Sequence, residues 1–143
     1  MFSLAACEKS AVTAPPSTIF LVTAFATPQV LKAGETTNII IGITNVSDTT
    51  ATFDANFCGP SFRVDNTGVY GSPSGCFANG IIERLASGEQ TVYTGTWTTL
   101  AVDSTGNSVG PLPAGAYTVR GAALGDVSAS KVTSVPFTVQ LTP

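Results

Sequence analysis

The fold of this chain is decided by residues 112–123, which read LPAGAYTVRGAA. The spacing of Leu112, Gly115 and Tyr117 is that of a tyrosine corner, in which a phenol hydroxyl bonds back to upstream backbone at one end of a β-sandwich. From Tyr117 to Ala123 apolar and polar residues alternate, as they do in a half-buried strand. The stretch therefore predicts a strand that enters a sandwich through a fixed corner.

Runs of period two continue on both sides of this stretch, and Gly, Pro, Asn or Asp separates them. The clearest run, residues 36–44, places Ile39, Ile41 and Ile43 on one face. Further runs occupy residues 50–57, 62–64, 81–85, 91–97 and 135–141. No segment has a sustained helical period. The pattern predicts an all-β, immunoglobulin-like antiparallel β-sandwich with Greek-key connections and about seven to nine strands.

A short pattern, Leu-x-x-Gly, occurs at residues 31–34, 85–88 and 112–115. In each copy we expect a buried leucine to anchor the chain. The glycine would then supply a turn with positive φ before the next strand begins.

Composition restricts the function. The chain has 143 residues, enough for one domain, and 43% of them are hydrophobic. Charged residues make up 10%, against a usual share of about 25%. The six basic residues are scattered and the net charge is −3, so we expect no nucleic-acid partner. There is no histidine, which removes the commonest general base and metal ligand. We therefore expect no enzyme activity, no cofactor, no metal and no small-molecule substrate.

The amino terminus reads LAAC at residues 4–7 and resembles the lipobox of bacterial lipoproteins, in which the cysteine becomes the acylated first residue. We expect residues 1–6 to be the remnant of a signal peptide, residues 7–17 to be a tether lipidated at Cys7, and residues 18–143 to be the domain. The expected location is the periplasmic side of the cell envelope, on either membrane. The alternative is a disordered tail with an incidental cysteine.

Lipidation of Cys7 would leave the pair Cys58 and Cys76, both in turns rich in Gly, Pro and Ser. An exported protein meets oxidising conditions, so we expect these two to form a disulfide, with a stabilisation of about 3 kcal/mol. A metal site is the alternative, and two thiols without histidine fit zinc poorly. The bridge would either make the enclosed loop a rigid contact surface or only compensate for its polarity.

The segment Thr18 to Ala26 is apolar on both faces. One account is a first strand that crosses between the two sheets. The other is that one face meets a partner protein. The candidate partner contacts are Phe20 and Val22, together with Tyr70.

Several stretches resemble the bacterial intracellular proteinase inhibitor (BsuPI-type) domain, an immunoglobulin-like sandwich. The matching stretches are residues 43–48 (ITNVSD), 62–70 (FRVDNTGVY), 85–89 (LASGE), 96–97 (TW) and 113–121 (PAGAYTVRG). The resemblance implies the same fold for most of the chain, with residues 62–70 as a hairpin. It also implies proteinase inhibition as a possible activity.

Other candidate chemistry has simpler readings. The acidic residues Asp54, Asp65, Glu83 and Glu89 could form carboxylate pairs for glycoside cleavage, but we expect solvated surface groups. Residues 103–107 (DSTGN) could hold calcium, but this composition favours a plain turn. For Trp97 we expect a core position rather than an exposed contact.

The leading functional hypothesis is a non-catalytic, lipid-anchored structural or binding module in the periplasm. It would bind a protein partner, for example as an accessory subunit docked on a larger membrane complex. The alternative is a secreted proteinase inhibitor that presents the loop between Cys58 and Cys76. A hydrolase is a third hypothesis, and we expect no turnover.

Overall fold

The structure is a computed structural model that describes residues 19–54, 60–71, 82–124 and 131–143. Within these ranges it contains thirteen strands and no helix, so nothing there has the length and apolar character that a membrane-crossing helix needs. The strands are β1 (Phe20–Thr27), β2 (Val30–Lys32), β3 (Thr36–Asn45), β4 (Ala51–Asp54), β5 (Ser61–Val64), β6 (Tyr70–Gly71), β7 (Ile82–Leu85), β8 (Gln90–Thr98), β9 (Leu100–Val102), β10 (Ser108–Pro111), β11 (Gly115–Leu124), β12 (Lys131–Thr133) and β13 (Phe137–Thr142). The all-β prediction is confirmed. The strand number exceeds the expected seven to nine because several extra strands are only two or three residues long.

One sheet has the order β1-β3-β8 and is antiparallel throughout. The other has the order β2-β13-β11-β5-β6, with β12 paired to β11. In this second sheet β2 runs parallel to β13 while the other pairs are antiparallel. Two short antiparallel pairs, β4 with β7 and β9 with β10, lie beside these sheets. Neighbours such as β3 and β8 are far apart in sequence, as Greek-key connections require.

The amino-terminal segment changes sheets at Pro28 and Gln29. Before these residues β1 pairs with β3, and after them β2 pairs with β13. The backbone N–H of Gln140 donates to the carbonyl of Gln29 (2.8 Å) and fixes this crossing. The expected crossing does not lie within residues 18–26: all of β1 pairs with β3, and the chain changes sheets only after Thr27. The crossing therefore does not explain why the outer face of β1 is apolar.

The core lies between the two sheets. Ile39, Ile41 and Ile43 of β3 are fully buried and face Val119 and Val139 of the second sheet within one hydrophobic cluster. Trp97 is also buried, as predicted. Its ring packs edge-on against Tyr117 with the ring centroids 6.4 Å apart. The predicted alternation of β13 holds from residue 137 onward, whereas Val135 is 83% exposed.

The tyrosine corner is present. The hydroxyl of Tyr117 donates to the carbonyl of Pro113 (2.7 Å). The three Leu-x-x-Gly copies also behave as predicted: their leucines are buried and their glycines, Gly34, Gly88 and Gly115, have positive φ.

The first two copies share a further detail that depends on a glutamate after the glycine. Glu35 accepts a hydrogen bond from the backbone N–H of Lys32 (2.9 Å), and Glu89 accepts one from Ala86 (2.7 Å). Each carboxylate thereby closes its own turn.

Candidate functional site

The three cysteines lie outside the described residues. The structure therefore does not bear on lipidation of Cys7, on a bridge between Cys58 and Cys76, or on the loop that these two would enclose.

The proposed partner contacts on β1 need correction. Phe20 and Val22 are 1% and 3% exposed and belong to the core. Val22 pairs with Ile43 of β3, and directly opposed residues point to the same face of a sheet. Because Ile43 faces the core, Val22 does too, and neither residue can form a docking surface. The outward apolar residues of β1 are Leu21 and Phe25, which are 50% and 48% exposed.

These outward residues belong to a wider surface, the outer face of the sheet β1-β3-β8, which we call the threonine-rich face. Its members, read from the strand registers, are Leu21, Thr23, Phe25, Thr27, Thr36, Asn38, Ile40, Gly42, Thr44, Gln90, Val92, Thr94, Thr96 and Thr98. None of these fourteen residues carries a charge. Its apolar side chains are Leu21, Phe25, Ile40 and Val92, and Glu35 and Glu89 lie in turns at its two ends.

The threonine-rich face is well ordered by its own polar groups. The hydroxyls of Thr36 and Thr98 are hydrogen-bonded across β3 and β8 (2.9 Å). The side-chain amide of Gln90 donates to the hydroxyl of Thr44 (3.0 Å). Gly42 lies at the centre, where a side chain would collide with the Thr23 hydroxyl. The result is an uncharged surface on which Leu21, Phe25 and Val92 are each about half exposed.

The third predicted contact, Tyr70, is 48% exposed and lies on the opposite side of the sandwich, on the outer face of the second sheet. There Arg120 of β11 pairs with Arg63 of β5, and Arg63 pairs with Tyr70 of β6. Two cavities of about 660 and 100 Å³ flank this row and share its three residues and Thr133. We call this surface the arginine groove. Its polar lining comprises Ser61, Arg63, Asp65, Asn66, Tyr70, Arg120 and Thr133.

Asp65 holds one of the two arginines. The Nε of Arg120 donates to both carboxylate oxygens of Asp65, at 3.2 and 3.0 Å. The Nε of Arg63 is 3.9 Å from the same carboxylate, and the Arg63 side chain is 68% exposed. Within the described part of the chain, the terminal Nη groups of both arginines donate no hydrogen bond.

The loop between β5 and β6 forms one wall of the groove. These two strands pair antiparallel, so the predicted hairpin is confirmed. Asn66 adopts a left-handed conformation with φ of 59°, which asparagine tolerates better than most residues. The hydroxyl of Thr67 donates to the Val64 carbonyl (2.9 Å) and accepts from the Val69 N–H (3.0 Å). These bonds give the loop a defined shape without help from a ligand.

Residues 103–107 form the tight loop between β9 and β10, in agreement with the turn prediction. The Asp103 carboxylate accepts hydrogen bonds from the Thr105 hydroxyl (2.6 Å) and from the backbone N–H groups of Thr105 and Asn107. These bonds, that of the Thr105 hydroxyl most of all, lower the pKa of Asp103. In the described residues no three Asp, Glu, Cys or His side chains gather as a metal site would require.

Solved structures resemble this chain in fold alone. A β-glucosidase from Erythrobacter marinus is 11% identical with a TM-score of 0.53, over 86% of this chain and 15% of that one. A β-glucosidase from Listeria innocua in complex with glucose is 15% identical with a TM-score of 0.51, over 87% of this chain and 16% of that one. The alkylpurine DNA glycosylase AlkC from Pseudomonas fluorescens, bound to DNA containing an abasic site analogue, is 13% identical with a TM-score of 0.52. The match covers 89% of this chain and 31% of that one.

This chain therefore spans less than a third of each of these proteins. No protein-family model and no curated protein sequence matches it. The resemblance to the proteinase inhibitor domain stays a prediction.

Proposed function

We propose that this chain is a non-catalytic binding module that docks through its threonine-rich face onto another protein. In this proposal a lipid on Cys7 holds it at the periplasmic side of the cell envelope, where it serves as an accessory subunit of a membrane complex. The observation that carries the proposal is the complete absence of charge from the fourteen residues of that face.

The threonine-rich face has a size that fits the centre of a protein–protein interface. Three strands about 4.8 Å apart and eight residues at about 3.3 Å each give a footprint of roughly 14 by 26 Å. A standard interface buries about 800 Å² on each partner, with a core depleted of charge and a polar rim. The threonine-rich face supplies such a core, since Leu21, Phe25 and Val92 expose apolar surface among hydroxyl groups. Glu35 and Glu89 would lie in the rim.

The partner that fits this surface is a protein with a flat, uncharged patch bordered by basic residues. The basic border complements the two glutamates at the ends of the face and would orient the docking. The tether supports a membrane location for the partner: eleven residues from Cys7 to Ser17 extend at most about 40 Å. A module anchored in this way remains close to the bilayer surface.

Four of the described carboxylates already have partners within the fold. Asp65 is paired with Arg120, and Glu35, Glu89 and Asp103 accept hydrogen bonds that hold their turns. Groups occupied in this way lack the freedom of a general acid or base, and the chain has no histidine to replace them.

The docking is tested with Val92→Lys, which places a charge on the threonine-rich face beside the central Gly42. Val109→Lys in β10 is the matched control, because Val109 is 62% exposed and Val92 is 55% exposed. After native membranes are solubilised in mild detergent, we expect the wild type and Val109→Lys to sediment in a larger assembly. Val92→Lys should sediment as a monomer.

Three outcomes would contradict the docking. The wild type could sediment alone, the two variants could behave alike, or the purified wild type could form a dimer that Val92→Lys dissociates. The last result would mean that the face binds a second copy instead of a different protein.

The anchor is tested separately by the mass of the native protein. We expect it to begin at Cys7 with acyl chains attached, and Cys7→Ser to move the protein from the membrane to the soluble fraction. An unmodified terminus at Met1 would refute the anchor and leave the docking surface untouched.

A further inference from the structure

The arginine groove carries an inference that is independent of the docking proposal, because it rests on the other sheet. We propose that the groove binds an acidic saccharide, a sugar chain whose units carry carboxylates beside hydroxyl groups. The juxtaposition that carries this inference is the row Arg120–Arg63–Tyr70 beside Asp65, flanked by the two cavities.

The arrangement of the two arginines lowers the stability of the fold, and such a cost is typical of a site kept for its function. Like charges directly opposite each other on adjacent strands are destabilising, and Arg63 and Arg120 are such a pair. The chain has three arginines in all and a net charge of −3. Two of the three nevertheless share one carboxylate, which leaves the groove with an excess positive charge. Local departures from favourable design concentrate at functional sites.

The available donors match a carboxylate. Asp65 occupies the Nε of Arg120, and the Nη groups of Arg120 and Arg63 remain for a ligand. A planar guanidinium binds a carboxylate through two parallel hydrogen bonds, which gives both strength and orientation. Arg63 is the better ligand contact because its side chain is 68% exposed, whereas that of Arg120 is 40% exposed.

The rest of the groove favours a sugar over a simple anion. A sugar acid brings hydroxyl groups beside its carboxylate, and the Asp65 carboxylate can accept hydrogen bonds from those hydroxyls, whereas phosphate and acidic side chains bring it no such donors. Thr133, which is exposed, adds a hydroxyl that can both donate and accept. Tyr70, which is half exposed, offers aromatic surface with a polar tip. The larger cavity, of about 660 Å³, falls in the range typical of ligand sites.

Arg63→Gln tests the site, and Arg84→Gln is its control. Both variants lose one positive charge from an exposed position on a strand, but Arg84 lies in β7, outside the groove. Trigalacturonate is titrated calorimetrically into the full-length protein, with maltotriose and hexaglutamate as the neutral and the peptidic probes. Melting temperatures of both variants establish that they are folded.

We expect trigalacturonate to bind with a Kd below about 1 mM, and both other probes to bind at least about tenfold more weakly. Arg63→Gln should weaken trigalacturonate binding by about 10- to 100-fold, and Arg84→Gln by less than about twofold. Equal weakening by the two variants would reduce the effect to net charge and overturn the site. Absence of trigalacturonate binding would overturn it too. Hexaglutamate binding as tightly as trigalacturonate would show a surface for acidic peptides and refute the saccharide.

Discussion

Gly121 of β11 lies opposite Ala24 of β1, at a point where the two sheets leave no room for another methyl group. A Cβ at Gly121 would be 2.7 Å from the Cβ of Ala24 and 3.4 Å from the Oγ of Ser134. Carbon atoms pack at about 3.5–4.0 Å, so Gly121→Ala must separate the two strands by roughly 1 Å. The Cβ of Ala24 is fixed to its backbone and cannot rotate away.

The expected loss follows from two opposing effects. Overpacking of a filled core costs about 1–3 kcal/mol. Replacing a strand glycine by alanine recovers about 0.5–1 kcal/mol of backbone entropy. The net destabilisation of Gly121→Ala is therefore about 1–2 kcal/mol, which lowers the Tm by about 3–8 °C in a domain of this size.

Urea denaturation of the two single variants and of the double variant Gly121→Ala/Ala24→Gly measures the clash directly. Ala24→Gly alone costs about 1 kcal/mol for a lost methyl and a more flexible backbone. The double variant moves the methyl across the contact, so it should be more stable than the sum of the two single losses by at least about 1 kcal/mol. Losses that add within about 0.5 kcal/mol would refute the reasoning.

Gly42→Ala is the control for this cycle. A Cβ at Gly42 would meet the Oγ1 of Thr23 at 2.7 Å and the Nε2 of Gln90 at 3.0 Å. These are side-chain atoms on the outer face of the sheet, which can rotate into solvent. Gly42→Ala should therefore cost less than Gly121→Ala. The reverse order would show that backbone conformation, and not contact between the sheets, sets the tolerance.

Three further predictions concern single side chains. Tyr117→Phe removes the hydrogen bond to the Pro113 carbonyl and should lower the free energy of unfolding, measured in urea, by about 1 kcal/mol. An unchanged urea midpoint would show that the tyrosine corner does not stabilise the fold. Trp97→Ala should lower the free energy of unfolding by about 3–5 kcal/mol. Trp97→Phe should cost less than half of that, because the indole Nε1 is buried with no acceptor among the described residues. Equal losses would mean that Nε1 donates a hydrogen bond that the Phe variant also loses. The lowered pKa of Asp103 means that its stabilisation is complete above the ordinary value of 3.8 and disappears as the pH falls through the folded-state pKa. The stability difference between wild type and Asp103→Asn should accordingly vanish in acid, and a difference that is constant with pH would contradict this.

The sequence predicted the strands whose alternation is set by one buried face. In β3 isoleucine recurs at positions 39, 41 and 43, and in β11 Tyr117, Val119 and Ala123 follow the same spacing, so the inward faces of both strands follow from period two. The corner at Tyr117 was also predictable, because its hydrogen bond spans four residues and depends on local geometry. The loop at residues 103–107 was recognised as a turn, but its flanking strands β9 and β10 are too short and irregular to show a period.

The inward face of β1 could not be predicted in this way. Both of its faces are apolar, so the choice depends on the register with β3, which is a property of the assembled sheet. The arginine groove was missed for a related reason. Arg63 and Arg120 are 57 residues apart in sequence and meet only through the pairing of β5 with β11. The sequence indicates Tyr70 as a contact residue but not its neighbours Arg63 and Arg120.

The two proposed surfaces use opposite sides of one sandwich. The outer faces of two packed sheets point away from each other, so a protein docked on β1-β3-β8 leaves β11-β5-β6 open to solvent. Charge is distributed in the same way: the first face has none, and the second has two of the three arginines. Arg63→Gln should therefore leave sedimentation with the membrane complex unchanged, and Val92→Lys should leave trigalacturonate binding unchanged. If either variant disturbs both measurements, the surfaces are coupled through the core and the two functions cannot be assigned to separate faces.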